Sequence, residues 1–586
     1  MTMTRSKRSF KLGAASLLLL QLQLVSVMPG AASAEAADVP LAPATVDLIR
    51  GHDWTRFSGA TAAGDEVTVT GIGRAIIPWG NDLSQPTVSN PPINLRGPVL
   101  NISGDFSVSF QIVSSPGKSA GLQLYGTLPV IQDEWRQEGK AVSVMLKNGK
   151  LSAAVYNGSS AVPKKAAFNY TSAGTLDVRL LVKSGKLAFY VNQVKVGEIA
   201  DPGVFADGKV YFGADADVGS SFTLKSLTAQ AEGSDSAVTV SDLGIAVVPQ
   251  SADSLRALAR TNAPHLNIGT AAAVIPTMTD SAYRSILGRE FSILTPENDM
   301  KFQFIHPQRN VYAFAEGDSL VEFAERNGMA VHGHALVWSE ANPRWLAQGN
   351  YSAAELQAIM EEHVKTVVGR YKGRIKEWDV INEPLKDEKF NVNLGLRDSI
   401  WFKAMGENFL DIALRAAHEA DPDAKLYINE YGCEAEDDKA DALYKLVQRL
   451  QSRGVPLHGI GFQVHEDIGK DSDGTYDPVS ANEFKRTAKR FTDLGLEVRV
   501  SELDVNMHGK VTDTLRSKQA EYFKSILALT QANNRFTSYA MWGFTDRYSS
   551  LQPEGEYNEF GNGLIYDEHY APKLPYHKIK EALQSP

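Results

Sequence analysis

From about residue 250 onward, apolar runs rich in Val, Ile and Leu alternate with helical stretches such as 354–370, 400–420 and 440–453. This alternation restricts the second half of the chain to an α/β architecture with a parallel sheet. Eight runs read as strands: 265–271, 292–297, 330–338, 375–383, 424–431, 459–465, 497–502 and 536–543. Eight strands, each followed by a helix or long loop, predict a closed (β/α)8 barrel. An open doubly wound sheet is the alternative, but no Gly-rich phosphate loop follows the first run.

Two of the runs end on a glutamate. Glu383 closes 377–383 and Glu502 closes 497–502, 119 residues further on. At about 40 residues per strand–helix unit this is three units, which places Glu383 on the fourth strand and Glu502 on the seventh, nearly opposite in a ring of eight. Barrel enzymes keep their chemistry at the C-terminal strand ends, and polar or aromatic groups gather at these exits: Glu297, His334, Trp338, Asn382, Asn429, Tyr431, Gln463, His465 and Trp542. Two facing carboxyls are the requirement for cleaving a glycosidic bond. A spacing of about 5–5.5 Å goes with retention and about 6.5–9.5 Å with inversion.

The first 34 residues read as an export signal: basic Arg5, Lys7, Arg8 and Lys11, an apolar run at 17–27, and Ala32-Ser33-Ala34 as the cleavage site. The expectation is a secreted, extracellular protein with no membrane span after cleavage. Setting aside those four basic residues leaves 55 basic against 69 acidic, a net charge of −14. That balance argues against a nucleic-acid partner and is neutral toward uncharged polysaccharide. The single cysteine, Cys433, is expected to be buried and structural.

Residues 35–50 read as a leader. Over 51–232 short alternating runs (106–113, 141–146, 151–156, 176–182, 186–191, 210–212, 222–229) are separated by turns such as Lys147-Asn148-Gly149-Lys150. They predict an all-β antiparallel sandwich of concanavalin- or laminin-G-like pattern. Trp54, Trp79, Tyr125, Trp135 and Tyr156 could form a sugar-stacking platform on it, or belong to its core. Residues 233–249 read as a linker, and 250–586 as the catalytic barrel.

Seven segments, in order, carry a resemblance: Thr295-Pro296-Glu297-Asn298-Asp299-Met300-Lys301, Gly333-His334-Ala335-Leu336-Val337-Trp338, Trp378-Asp379-Val380-Ile381-Asn382-Glu383-Pro384, Leu426-Tyr427-Ile428-Asn429-Glu430-Tyr431, Gly461-Phe462-Gln463-Val464-His465, Val500-Ser501-Glu502-Leu503-Asp504 and Trp542-Gly543-Phe544-Thr545-Asp546. Together they resemble the motifs of glycoside hydrolase family 10, the endo-β-1,4-xylanase family, over about 250–586. The resemblance implies a retaining double displacement on xylan without metal or cofactor, with Glu383 as acid/base and Glu502 as nucleophile. It implies that Asn382 bonds the sugar 2-hydroxyl and that His465 holds the nucleophile. It also implies that Glu297, Asn298, Lys301, His334 and Trp338 bind the glycone, with Trp542 as an aromatic floor, Gln463 beside His465, and Tyr431 toward the aglycone.

Four positions depart from that pattern. Phe302 stands where a Trp is usual, Ser339 and Ala341 where His and Gln are common, and Ser550 in place of a second Trp. They leave the pair intact and bear on which chain is bound: a related β-glycan with altered glycone-side preference is the alternative substrate. Other readings are an inactive carbohydrate-binding protein on the same barrel, and a metal site built on His332, His334, His465 and Asp546. Trp378 and Trp401 read as core, and Asp504 as a supporting hydrogen-bond partner.

Overall fold

The computed structural model describes residues 45–584 except 55–56, 73–74, 77–87, 90–92, 96, 132–135, 138, 160–162, 172–173, 388–394, 471–473, 509–510 and 552–561. The expected signal, the first part of the leader, Trp79 and Trp135 lie outside the described residues.

Among the described residues the first half forms two large antiparallel sheets and two short two-stranded ones. One large sheet runs in the order Val194–Ala200, Lys186–Val191, Leu176–Lys183, Phe106–Ser114, Ser221–Ala231, Glu66–Thr70, Ala60–Ala63, with Thr45–Asp47 added beside Ser221–Ala231. The other runs Lys164–Asn169, Lys150–Asn157, Lys140–Lys147, Ala120–Thr127, Lys209–Ala216, Pro98–Ser103, Ala237–Asp242. The hairpin at Asn148-Gly149 has φ of 49° and 74°, the doubly left-handed turn that Asn-Gly favours between twisted strands. Residues 237–242, expected within a linker, instead form an edge strand on Pro98–Ser103. Thr45–Asp47, expected in the leader, pairs with Ser221–Ala231. Val238 and Val240 alternate with Thr239 and Ser241 over only one short run, and Thr45–Asp47 is three residues long, so the pairing partner decides.

The central strands of the second sheet are buried on both faces. Leu122, Leu124, Val142, Val144, Val210 and Phe212 fill the core between the sheets. Their neighbours of opposite parity, Tyr125, Ala141 and Tyr211, join Leu95 and Val99 in one apolar cluster with the barrel. A buried hydrogen bond from Ser58 Oγ to Glu316 Oε2, 2.9 Å, crosses the same junction. Of the aromatics named above, Trp54 is 1 % exposed in the core and Tyr125 faces the barrel, so the core reading holds for these two, while the partly buried Tyr156 is packed against the same cluster. Cutting the chain after Asp242 should expose this apolar face. The 243–586 fragment is expected to melt roughly 5–10 °C lower than the full chain in a calorimetric scan and to aggregate on heating.

The second half is a closed parallel barrel of strands β1 (Asn267–Ala272), β2 (Ile293–Pro296), β3 (Ala330–Gly333), β4 (Glu377–Asn382), β5 (Lys425–Glu430), β6 (Gly459–Phe462), β7 (Glu497–His508) and β8 (Phe536–Met541). Each pairs with the next, and β8 pairs with β1. All eight expected strands are present. The third resumes at Val337–Trp338, still beside β4. The seventh does not stop at Glu502: it continues to His508, because His465–Lys470 rises above the rim and pairs with it. Trp378 and Trp401 are fully buried, as is Cys433. Among the described residues no helix is long and apolar enough to cross a membrane.

Candidate active site

The strand exits open into a cleft of about 440 Å3. All twelve residues expected at the site line it: Glu297, Asn298, Lys301, His334, Trp338, Asn382, Glu383, Tyr431, Gln463, His465, Glu502 and Trp542.

Glu383 follows the last residue of β4 with φ of +49°, a left-handed conformation that costs a side-chain-bearing residue about 1 kcal/mol or more. Its N–H donates to the Asn429 carbonyl, 2.8 Å, so β5 holds the turn. Its Oε1 accepts from Gln463 Nε2 at 3.0 Å and Asn382 Nδ2 at 3.2 Å, and its Oε2 from Trp338 Nε1 at 2.9 Å. Arg397 Nη2 stands 3.8 Å from Oε2. Burial is the largest influence on the carboxyl. It raises the pKa, as does the charge of Glu502, and these outweigh Gln463, Arg397 and Trp338, so the group is held above the usual carboxylate range.

Glu502 is bonded differently. Asn429 Nδ2 donates to Oε1 at 2.6 Å, and His465 Nε2 lies 3.2 Å from Oε2. The other ring nitrogen of His465 is 2.8 Å from Asp504 Oδ2, the supporting role expected of Asp504. Burial pulls the His465 pKa down, but Asp504 and Glu502 outweigh it and hold the imidazole well above its ordinary value. His465 thus stands between two carboxyl groups that favour its protonated form. Asn429 ties the halves together: the same Nδ2 donates to Asn382 Oδ1 at 2.9 Å, and its Oδ1 accepts from Ser501 Oγ at 2.7 Å. The pairing of Gln463 with His465 rested on the period of a continuous strand. Both residues do line the cleft, but the backbone between them is not continuous strand: Val464 has φ of +61° and its N–H is held by Glu434 Oε1 at 2.9 Å.

On one wall Lys301 Nζ donates to Asn298 Oδ1 at 2.9 Å and lies 4.8 Å from the centre of the Trp338 ring and 5.7 Å from that of Trp542. His334 meets Trp542 edge-on at 5.2 Å. His332 and His334 are both engaged by Asp379, each with a nitrogen 2.9 Å from one of its oxygens. Among the described residues no group of three or more His, Cys, Asp or Glu is arranged to hold a metal ion.

The four departures fall in different places. Ser550 lines the cleft, beside Leu551. Ser339 and Ala341 form a short 3-10 turn after Trp338, and Ala341 is buried. Phe302 is buried behind the wall, stacked on His363 with ring centres 3.5 Å apart and against His306. His306 and His363 share a 3.3 Å contact between their Nδ1 atoms. Burial pushes the His306 pKa down to about 3, and that of His363 well below its ordinary value. Two histidines that take up protons only when unfolded make stability fall as pH drops below about 6.5. The urea midpoint is expected to be lower at pH 5 than at pH 7, and His363→Leu should flatten that dependence.

Arg397, Glu340, Glu466, Asp467 and Asn506 also line the cleft and were not expected there. Arg397 comes from the loop after β4, where no motif marks it. Glu466, Asp467 and Asn506 belong to the strand extension above the rim, of which the alternating polarity of 503–508 is the one sequence signal.

The model of glycosyl hydrolase family 10 matches residues 254–582. Endo-1,4-beta-xylanase B of Thermotoga neapolitana is 40% identical over 304 residues, covering 52% of this chain and 83% of that protein. Beta-1,4-xylanase of Dictyoglomus thermophilum is 36% identical over 320 residues, 53% of this chain and 87% of that one. Among solved structures, xylanase 10B from Thermotoga petrophila in complex with xylobiose aligns with a TM-score of 0.52 at 38% identity, covering 56% of this chain and 97% of that one. The matched segment contains the whole barrel and every cleft residue named above, Ser550 and Leu551 included, and the chain belongs to glycosyl hydrolase family 10 and is a glycoside hydrolase.

Proposed function

We propose that the protein is a secreted, retaining endo-β-1,4-xylanase. The observation that carries the mechanism is the contrast between two carboxyls in one cleft. Glu383 is held by neutral donors and kept above its ordinary pKa, which suits a proton donor. Glu502 lies against the charged His465 and the Asn429 amide, which suits an ionised nucleophile. Glu383 gives its proton to the glycosidic oxygen while Glu502 attacks the anomeric carbon from the opposite face, forming a glycosyl ester. Glu383, now a carboxylate, takes a proton from water as that water opens the ester, and both groups return to their starting states. Asn382, its Oδ1 occupied by Asn429, presents Nδ2 to the sugar 2-hydroxyl. Trp542 supplies an indole face on which an apolar sugar face can pack.

Xylan as substrate is supported by the relatives, which are named as xylanases. Ser550 on the cleft wall favours tolerance of substituted or related β-glycans on the glycone side. Proton NMR of fresh hydrolysate from xylohexaose, with turnover compared on linear xylan, arabinoxylan, glucuronoxylan and mixed-linkage glucan, tests both readings. Initial release of β-anomers from internal bonds is expected, and α-anomers or release of single terminal sugars would overturn the retaining endo assignment. Export is supported by the basic start, apolar run and Ala32-Ser33-Ala34. Mass spectrometry of protein from the culture supernatant should find a chain beginning at Glu35.

A further inference from the structure

We propose that Arg397 is a positioning residue that stabilises the carboxylate form of Glu383 through its charge, with Glu340 and Asp387 setting how much of that charge reaches the site. The proposal rests on the acid/base reading of Glu383 given above.

Arg397 is fixed close to the acid by its own loop. Its N–H donates to the Pro384 carbonyl at 2.8 Å, and Leu385 and Leu396 form an antiparallel bridge. The chain after Glu383 thus loops out and returns to the residue next to it. The guanidinium is held on every side. Nε donates to the Leu385 carbonyl at 2.7 Å, Nη1 to Glu340 Oε1 at 3.1 Å, and Nη2 to Asp387 Oδ2 at 3.2 Å and to the Tyr431 hydroxyl.

At 3.8 Å from Glu383 Oε2, Nη2 is too far for a hydrogen bond, and that oxygen is already positioned by Trp338. Arg397 therefore acts on Glu383 by charge rather than by aim. Its two carboxylate partners are 40% and 53% exposed, so water screens them and their neutralisation of the cation is incomplete. The other ionisable groups facing Glu383 are Glu502 on β7, and Glu430 and Tyr431 at the end of β5. Burial pushes the Glu430 pKa up to about 7. Lys439 pairs with Glu430 at 3.1 Å and lies over the Tyr431 ring, while Arg397 is the cation 3.8 Å from Glu383 itself. A base that must appear once per turnover, as the ester forms, needs such a counter-charge.

The test is the pH profile of kcat/KM on an aryl xylobioside with a poor leaving group, with melting curves for each variant. Arg397→Met should move the basic limb up by about 1 pH unit, because the proton on Glu383 is then lost less readily. Arg397→Lys, which keeps the charge, should move it less. Glu340→Gln and Asp387→Asn should move it the other way, by about 0.3 unit, since the cation is then less compensated. A limb that stays put in Arg397→Met while the plateau falls overturns the proposal, as does a shift of the same sign in all variants. If Arg397→Met does not fold, the sign of the shift in Glu340→Gln and Asp387→Asn decides. Glu383→Gln separates the two ideas. If it keeps the wild-type basic limb, the acid/base reading itself fails; if it erases the limb while Arg397→Met leaves it unmoved, only the role of Arg397 falls.

Discussion

Glu502→Ala should lower kcat on xylan by on the order of 10^5, the scale seen when a covalent nucleophile is removed from a site whose members act as a unit. The fold should survive. The change leaves Asn429 held by Ser501 and Asn382, and His465 paired with Asp504. What disappears is the group that bonds the anomeric carbon, and no neighbour can replace it: Asp504 is committed to His465, and Glu383 faces the leaving oxygen. The space left by the carboxylate should admit a small anion. Azide at high concentration is therefore expected to restore part of the activity on an activated aryl xylobioside. It would give a glycosyl azide of inverted configuration, because one displacement replaces two. Retention of more than a few per cent of wild-type turnover on xylan, without azide, would be incompatible with the assignment.

Replacing the partner has an effect that depends on the substrate. Glu383→Gln keeps the size of the side chain and its amide oxygen can still accept from Trp338, but it cannot give up a proton. Turnover on xylan, whose leaving group is a poor sugar hydroxyl, should fall about 10^2–10^4-fold. With a dinitrophenyl leaving group, which departs without protonation, the first step should stay near the wild-type rate, while ester hydrolysis slows and the intermediate accumulates as a burst. The sign of the pH effect follows from the raised pKa of Glu383. The group works protonated, so wild-type kcat/KM is lost as pH rises through that value, and the variant should lack this limb. Equal losses on both substrates would mean that Glu383 serves binding or structure instead.

The barrel was legible because its strands are buried on both sides and therefore read as continuous apolar runs, and all eight appear where the runs stand. Ten of the twelve cleft residues were legible because barrel strands need apolar side chains, so polar groups repeated at their ends mark a function; Asn298 and Lys301 came only from the family resemblance. The strand extension above the rim was not legible. Its pairing of His465–Lys470 with the end of β7 is between segments about 40 residues apart, and although 503–508 alternates, 465–470 does not. Arg397 was hidden for a related reason: a loop residue gains meaning only from what the loop brings it beside. Platform and core stayed open for the sandwich aromatics because Tyr125 alternates like an exposed residue, and only docking of its sheet onto the barrel buries it.

The order of elements, the parallel barrel, the antiparallel sandwich and the identity of the two glutamates follow from the sequence alone, since periodicity and strand-end chemistry are local properties. Tertiary structure decided everything that depends on which surfaces meet. It turned the second sheet of the sandwich inward against the barrel, gave Glu383 a left-handed turn held by β5, and placed His465 between Glu502 and Asp504. It also set Arg397 at 3.8 Å from the acid. Those distances determine the unequal environments of two chemically identical carboxyls, because electrostatic effects depend on burial and separation in space rather than on position along the chain.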